Sequence, residues 1–158
     1  MKPVALFRVS VVLFAMAIWV SRGFGSLGVS TLKAQESPSD HPDWKLYTNT
    51  KYQYAICYPE DLLVPQGESD DGDGQTFLAK DGAKLIVFGS AGIADIPVEQ
   101  RLATAISDLA GTSGKVRYKV MKPNWFVVSG QTQHTVFYSK AIYTRDRFKQ
   151  FALTYDAS

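Results

Sequence analysis

The sequence is poor in the side chains that carry most protein chemistry. Its 158 residues hold one cysteine, Cys57, and two histidines, His41 and His134. A lone cysteine excludes an intramolecular disulfide and a cysteine-rich zinc site. Two isolated histidines do not make a transition-metal centre. Nothing around Cys57 matches a cysteine-enzyme signature. It stands beside Ala55 in a strand-like run and reads as a small apolar residue. Gly89-Ser90-Ala91-Gly92 falls between a strand and a helix, where phosphate loops sit. It lacks both the Gly-x-x-x-x-Gly-Lys pattern and the three-glycine dinucleotide fingerprint. No acidic residue precedes Glu36. No apolar run reaches the ~20 residues that span a bilayer. On these grounds no catalytic, cofactor-binding or metal-binding residue is expected, and the chain does not read as an enzyme.

What is present divides into three parts. Residues 1–34 begin with Lys2 and Arg8, continue through the apolar Val9–Val20 run, and then reach Arg22 and a Gly/Ser-rich stretch. A charged start, a short apolar run and small residues describe a signal peptide, or a signal anchor if it is not cleaved. The protein is therefore expected to be exported, periplasmic or extracellular, with membrane anchoring through the leader as the alternative. Residues 35–43, with two prolines, read as a linker. Residues 44–158 read as one folded domain, long enough to bury a core without disulfides.

Within the domain, Trp44–Thr48 and Tyr52–Tyr58 are strand-like. In the second run Tyr52, Tyr54, Ile56 and Tyr58 share one face by period-two alternation. Glu60–Val64 suggests a turn of helix, and Gln66–Gly74 an acidic loop. Gln75–Ala79 and Ala83–Phe88 form a hairpin around an Asp81-Gly82 turn. Val98, Leu102, Ile106 and Leu109 make one apolar stripe, which predicts a helix over Pro97–Ala110. Asp95 is its expected amino-terminal cap and Gly111 its stop. Four strands follow: Lys115–Met121, Trp125–Ser129, Thr135–Tyr143 and Arg147–Tyr155. The expected fold class is α+β, an α/β/α sandwich with a mostly antiparallel sheet of about seven strands and one main helix.

The stretch Tyr47–Pro59 (YTNTKYQYAICYP), the Asp/Gly loop leading into Gln75-Thr76-Phe77 and the order hairpin, helix, four strands resemble the PsbP-like domains. That group is named for an extrinsic lumenal protein of photosystem II and shares its fold with the Ran-binding Mog family. The likeness is nearest to small exported bacterial proteins of unknown function. It covers residues 44–158. It implies a role in binding or assembly rather than catalysis, and it carries over no functional residue. Members usually finish with a helix after the last strand. This sequence stops at Tyr155-Asp156-Ala157-Ser158, so either the last helix is missing or the sequence is truncated; if it is missing, one sheet face is expected to be partly uncovered.

Charge is the informative feature. Residues 36–114 hold 5 basic and 13 acidic side chains, whereas residues 115–158 hold 8 basic and 2 acidic. From Glu36 onward the balance is slightly acidic, which argues against nucleic acid as a partner. Strict alternation would put Lys115, Arg117 and Lys119 on one face, with Arg145, Arg147 and Lys149 around the next hairpin. Such a surface can steer an acidic protein complex of the envelope or an anionic membrane surface. These six are the candidate partner-binding residues. A carrier of a small ligand or metal is the alternative, using the Tyr52–Tyr58 strand and the acidic loop at Asp70, Asp71 and Asp73. An unrecognised hydrolase built on Cys57 and His134 is the weakest reading.

Overall fold

The computed structural model describes residues 44–92, 95–144 and 146–157. The segments expected to be a leader (1–34) and a linker (35–43), together with Arg145, lie outside the described residues. The elements run β1 (Trp44–Asn49), β2 (Tyr54–Pro59), β3 (Val64–Glu68), β4 (Gly74–Leu78) and β5 (Lys84–Ser90), then α1 (Val98–Ala110). They continue with β6 (Lys115–Lys122), β7 (Trp125–Gln131), β8 (Thr135–Thr144) and β9 (Arg147–Asp156). Strands β3 to β9 form one antiparallel sheet in the order β3-β4-β5-β9-β8-β7-β6, and β1-β2 form a separate hairpin.

Strands make up 58% of the described residues, and α1 is the one described helix. The expected α+β, α/β/α sandwich is therefore overturned: the domain is β-rich. Two local effects account for the difference. The β1-β2 hairpin shares no backbone ladder with the main sheet and stacks its aromatic face on it. The end of the expected helical turn (Glu60–Val64) and the start of the expected loop (Gln66–Gly74) instead form β3, an edge strand with a register shift between Pro65 and Glu68. An edge tolerates proline because no inward ladder bond is needed from its nitrogen. Only a single turn, closed by Leu63 N–H donating to Pro59 O at 2.9 Å, precedes it.

Two cores lie on opposite faces of the sheet, because successive strand residues point to opposite sides. On one face the hairpin places Tyr54, Ile56 and Tyr58 against Phe77, Leu85, Val87 and Phe151. On the other, α1 places Leu102, Ala105 and Ala110 against Phe126, Val128, Phe137, Ala141, Tyr143 and Phe148. Each large apolar side chain buried here contributes ~1.5–3 kcal/mol. Strand β9 serves both cores: Phe148 faces the helix and Phe151 the hairpin.

The helix begins at Pro97 rather than under an Asp95 cap. Pro97 is the N-cap, and no side chain caps the first turn. Gly111, at φ 56°, ends the helix by donating its N–H to Ser107 O at 3.0 Å. A left-handed residue there is what glycine permits at little cost. In the β4-β5 turn Gly82 has φ 88°, and Ala83 N–H donates to Asp81 Oδ1 at 3.0 Å.

The hairpin is held down at its turn. Tyr52 N–H donates to Asn49 Oδ1 at 2.9 Å, and Asn49 Nδ2 donates to Gly72 O at 3.0 Å. Gln53 takes φ 56°, and its carbonyl accepts from Lys149 Nζ at 2.7 Å. Gly89 lies directly beneath the turn. A Cβ there would stand 2.6 Å from Tyr52 Cβ. Gly89→Ala is expected to lift the turn and destabilise the domain by ~1–3 kcal/mol, as overpacking does. Urea unfolding of the two proteins measures this.

Candidate functional site

The hairpin covers only part of its face of the main sheet. Its packing reaches Tyr138 and Ile142 of β8, and none of the described residues of β6 or β7 belongs to that core. Beyond β8 the same face continues as a regular array. The register sets Tyr118, Ser129 and Tyr138 side by side in one row. It sets Val120, Val127 and Lys140 in the next row, and Lys122, Trp125 and Ile142 in the third. Tyr118 is 55% exposed, Lys122 is exposed, and Val120, Trp125, Tyr138, Lys140 and Ile142 are half-buried. Of these rows the hairpin-side core reaches Tyr138 and Ile142, and Val127 is itself buried; the remaining side chains lie outside both cores.

The array combines three ring systems with two ammonium groups. Burial pushes the Tyr138 hydroxyl above the ordinary tyrosine range, and the neighbouring Tyr118 hydroxyl adds to the shift. The Tyr138 phenol therefore remains a neutral hydrogen-bond donor at physiological pH. Between Asp108 and Asp146 the chain has no carboxylate at all. The lysines of this surface thus have no neighbouring acid on their own strands.

The six cations singled out from the sequence are not brought together. A bulge between Val116 and Tyr118 breaks the alternation of β6. Lys115 pairs with Gln131 and lies on the hairpin side. Lys119 pairs with Val128, whose side chain is in the helix-side core, so it lies on the opposite face. Arg117 is the exposed residue within the bulge. Arg147 is half-buried opposite Thr144. Lys149 is only 4% exposed, sits at the centre of the sheet and donates to the Gln53 carbonyl. It braces the hairpin turn and offers no surface charge. Arg145 lies outside the described residues.

Sequence reasoning missed Tyr118, Lys122, Trp125, Tyr138 and Lys140. The missed signal lay in β8. Val136, Tyr138, Lys140 and Ile142 alternate with the buried set Phe137, Ser139, Ala141 and Tyr143. The alternation itself identifies a second, half-apolar face.

Burial, led by desolvation, holds Lys149 below the usual lysine range, and Arg147 adds to the effect. Folding thus disfavours its charged form. The unfolded chain binds more protons than the folded one between the folded pKa and 10.5, so this group raises stability as pH climbs through that window. Below the window the full cost of burying the charge remains. Wild type is accordingly expected to gain stability relative to Lys149→Met between neutral pH and about pH 10, by urea unfolding of both proteins at each pH. A gap that does not change with pH would show that Lys149 keeps its ordinary lysine pKa in the fold.

The other chemistry raised by the sequence is built for structure. Burial raises the Cys57 thiol pKa, the reverse of what a nucleophile needs. In the acidic loop, Asp71 O accepts from Lys51 Nζ, Gly72 O from Asn49 Nδ2, and Asp73 O from Tyr54 Oη and Gly89 N–H. Those carbonyls point into the protein and are already bonded, whereas a calcium loop turns oxygens toward the ion. No group of three or more His, Cys, Asp or Glu is placed to hold a metal among the described residues. No described helix is long and apolar enough to cross a membrane.

No protein-family model matches the chain, and no curated protein matches it.

Proposed function

We propose that the domain is a non-enzymatic, exported accessory protein that binds a protein complex of the cell envelope. Its contact surface is the open face of β6, β7 and β8. The observation that carries this reading is the array of Tyr118, Trp125 and Tyr138 interleaved with Lys122 and Lys140, without a carboxylate on those strands. Aromatic residues supply contact area at low entropic cost and are enriched at interfaces. The lysines choose an acidic partner and speed its encounter. The leader-like segment and the resemblance to PsbP-like domains support the same reading.

The test is crosslinking of the full chain, tagged at its carboxy terminus, in the native host. Recovery of one reproducible envelope complex, with crosslinks mapping to β6–β8, supports the proposal. Recovery of monomer alone, or crosslinks confined to α1 or the β3 edge, overturns it.

A further inference from the structure

On the opposite face of the sheet, the first turn of α1 gathers hydrogen-bond donors without an acceptor. The helix runs 13 residues and starts at Pro97 with no capping side chain. The first recorded helical bond is Arg101 N–H to Pro97 O, at 3.2 Å. The N–H groups of Val98, Glu99 and Gln100 therefore lack intrahelical acceptors, as the first amides of any helix do. An uncapped start of this kind carries partial positive charge.

Two side chains reinforce that character. The Arg101 guanidinium lies over the Phe148 ring, 4.6 Å from its centroid. It has no ion pair among the described residues, and its Nε is buried without an acceptor. A helical side chain leans toward the amino terminus, so this cation is held at the positive end of its own helix. The Tyr143 side chain is 8% exposed, and its hydroxyl is buried with no partner. Its ring stacks beside Phe148 at 6.0 Å and 23°. The chain path sets it under the start of the helix: α1 ends beside the beginning of β6, where Gly114 N–H reaches Ala110 O, and Tyr143 lies at the other end of the sheet. Its hydroxyl also feels the Arg101 charge, although desolvation dominates and pushes its pKa up to about 12. At neutral pH it keeps its proton and is a hydrogen-bond donor.

Amides, a guanidinium and a phenol all donate, and a buried donor left unmatched costs ~1–3 kcal/mol. The complement to such a set is an ion that accepts only. Glu99, in the first turn, and Asp95 are exposed and form no ion pair with Arg101. We infer that the first turn of α1, Arg101 and Tyr143 form a binding site for a small oxyanion of the phosphate type. Helix amides, arginine and tyrosine are the groups that recognise such oxygens. The site is separate from the open face of β6–β8.

The experiment is titration of the full chain with inorganic phosphate, followed by amide NMR, with sodium chloride matched for ionic strength. Saturable shifts of the Val98, Glu99 and Gln100 amides by phosphate, absent with chloride, are the expected result. Arg101→Gln and Tyr143→Phe should each weaken the phosphate response by roughly tenfold. Without phosphate, Tyr143→Phe should unfold at the same temperature as wild type or higher, because the lost hydroxyl had no partner. Three outcomes overturn the inference. Non-saturating shifts shared by phosphate and chloride would mean an adventitious ion only. Undiminished phosphate binding by both variants would place the ion elsewhere. A clear loss of stability in Tyr143→Phe without phosphate would show that the hydroxyl is already bonded within the protein.

Discussion

Reversing two charges, Lys122→Glu with Lys140→Glu, is expected to weaken capture of the proposed acidic envelope partner by at least tenfold, or ~1.4 kcal/mol. The two lysines contribute differently. Lys140 lies between Val127 and Phe151 in the register and is half-buried, so its stem packs on apolar neighbours while its ammonium reaches outward. Lys122 is exposed at the end of β6 beside Trp125. Reversal removes attraction and adds like-charge repulsion against an acidic surface, which costs more than neutralisation. Lys80→Glu, at the exposed β4-β5 turn, is the matched control and is expected to bind as wild type does. The measurement is the yield of crosslinked partner at several salt concentrations, with circular dichroism to verify folding. Equal yields from the double variant and the control would remove the open face from the interface.

The second large effect is on stability. Phe77→Ala should destabilise the domain by ~3–5 kcal/mol. Phe77 is fully buried, with its ring 4.5 Å from that of Tyr58 and 5.7 Å from that of Tyr47. It joins the sheet to both strands of the hairpin. No hydrogen-bond ladder connects hairpin and sheet, so side-chain packing carries most of their attachment. A domain of this size has only ~5–15 kcal/mol in total, so the variant should be partly unfolded at physiological temperature. The matching change in the helix-side core, Phe126→Ala, lies on the other face of the sheet. The two losses should add, because distant sites share no cavity. Urea unfolding of both single variants measures each cost.

Much of the secondary structure was legible in the sequence, because it follows from local rules. The stripe Val98, Leu102, Ile106 and Leu109 marks α1, and Asp81-Gly82 marks the β4-β5 turn. The arrangement of layers was not legible. Period-two alternation shows that Tyr54, Ile56 and Tyr58 share a face, but it does not say whether that face lies within a sheet or stacks on one. The bulge at Arg117 escaped for a related reason. One extra residue moves every later side chain to the other face, and no turn residue in Lys115–Lys122 announces it. The same blindness misplaced Lys149. A lysine in a strand reads as surface, yet here it is buried under a turn whose carbonyl receives it. The candidate site suffered most, since the face formed by β6, β7 and β8 exists only once three strands are in register.

The position of β9 bears on the order of folding. It is the last of the described strands in sequence, yet it lies between β5 and β8 and fills both cores. The units β3-β4-β5 and β6-β7-β8 are each local meanders, and neither touches the other through the backbone until residues 147–156 arrive between them. Long-range pairing of this kind closes late, because the intervening loop entropy must be overcome first. As the chain emerges from the ribosome, it therefore holds two separate half-sheets and no finished core. Loss of residues 147–156 would therefore separate the two half-sheets and leave both cores unfinished.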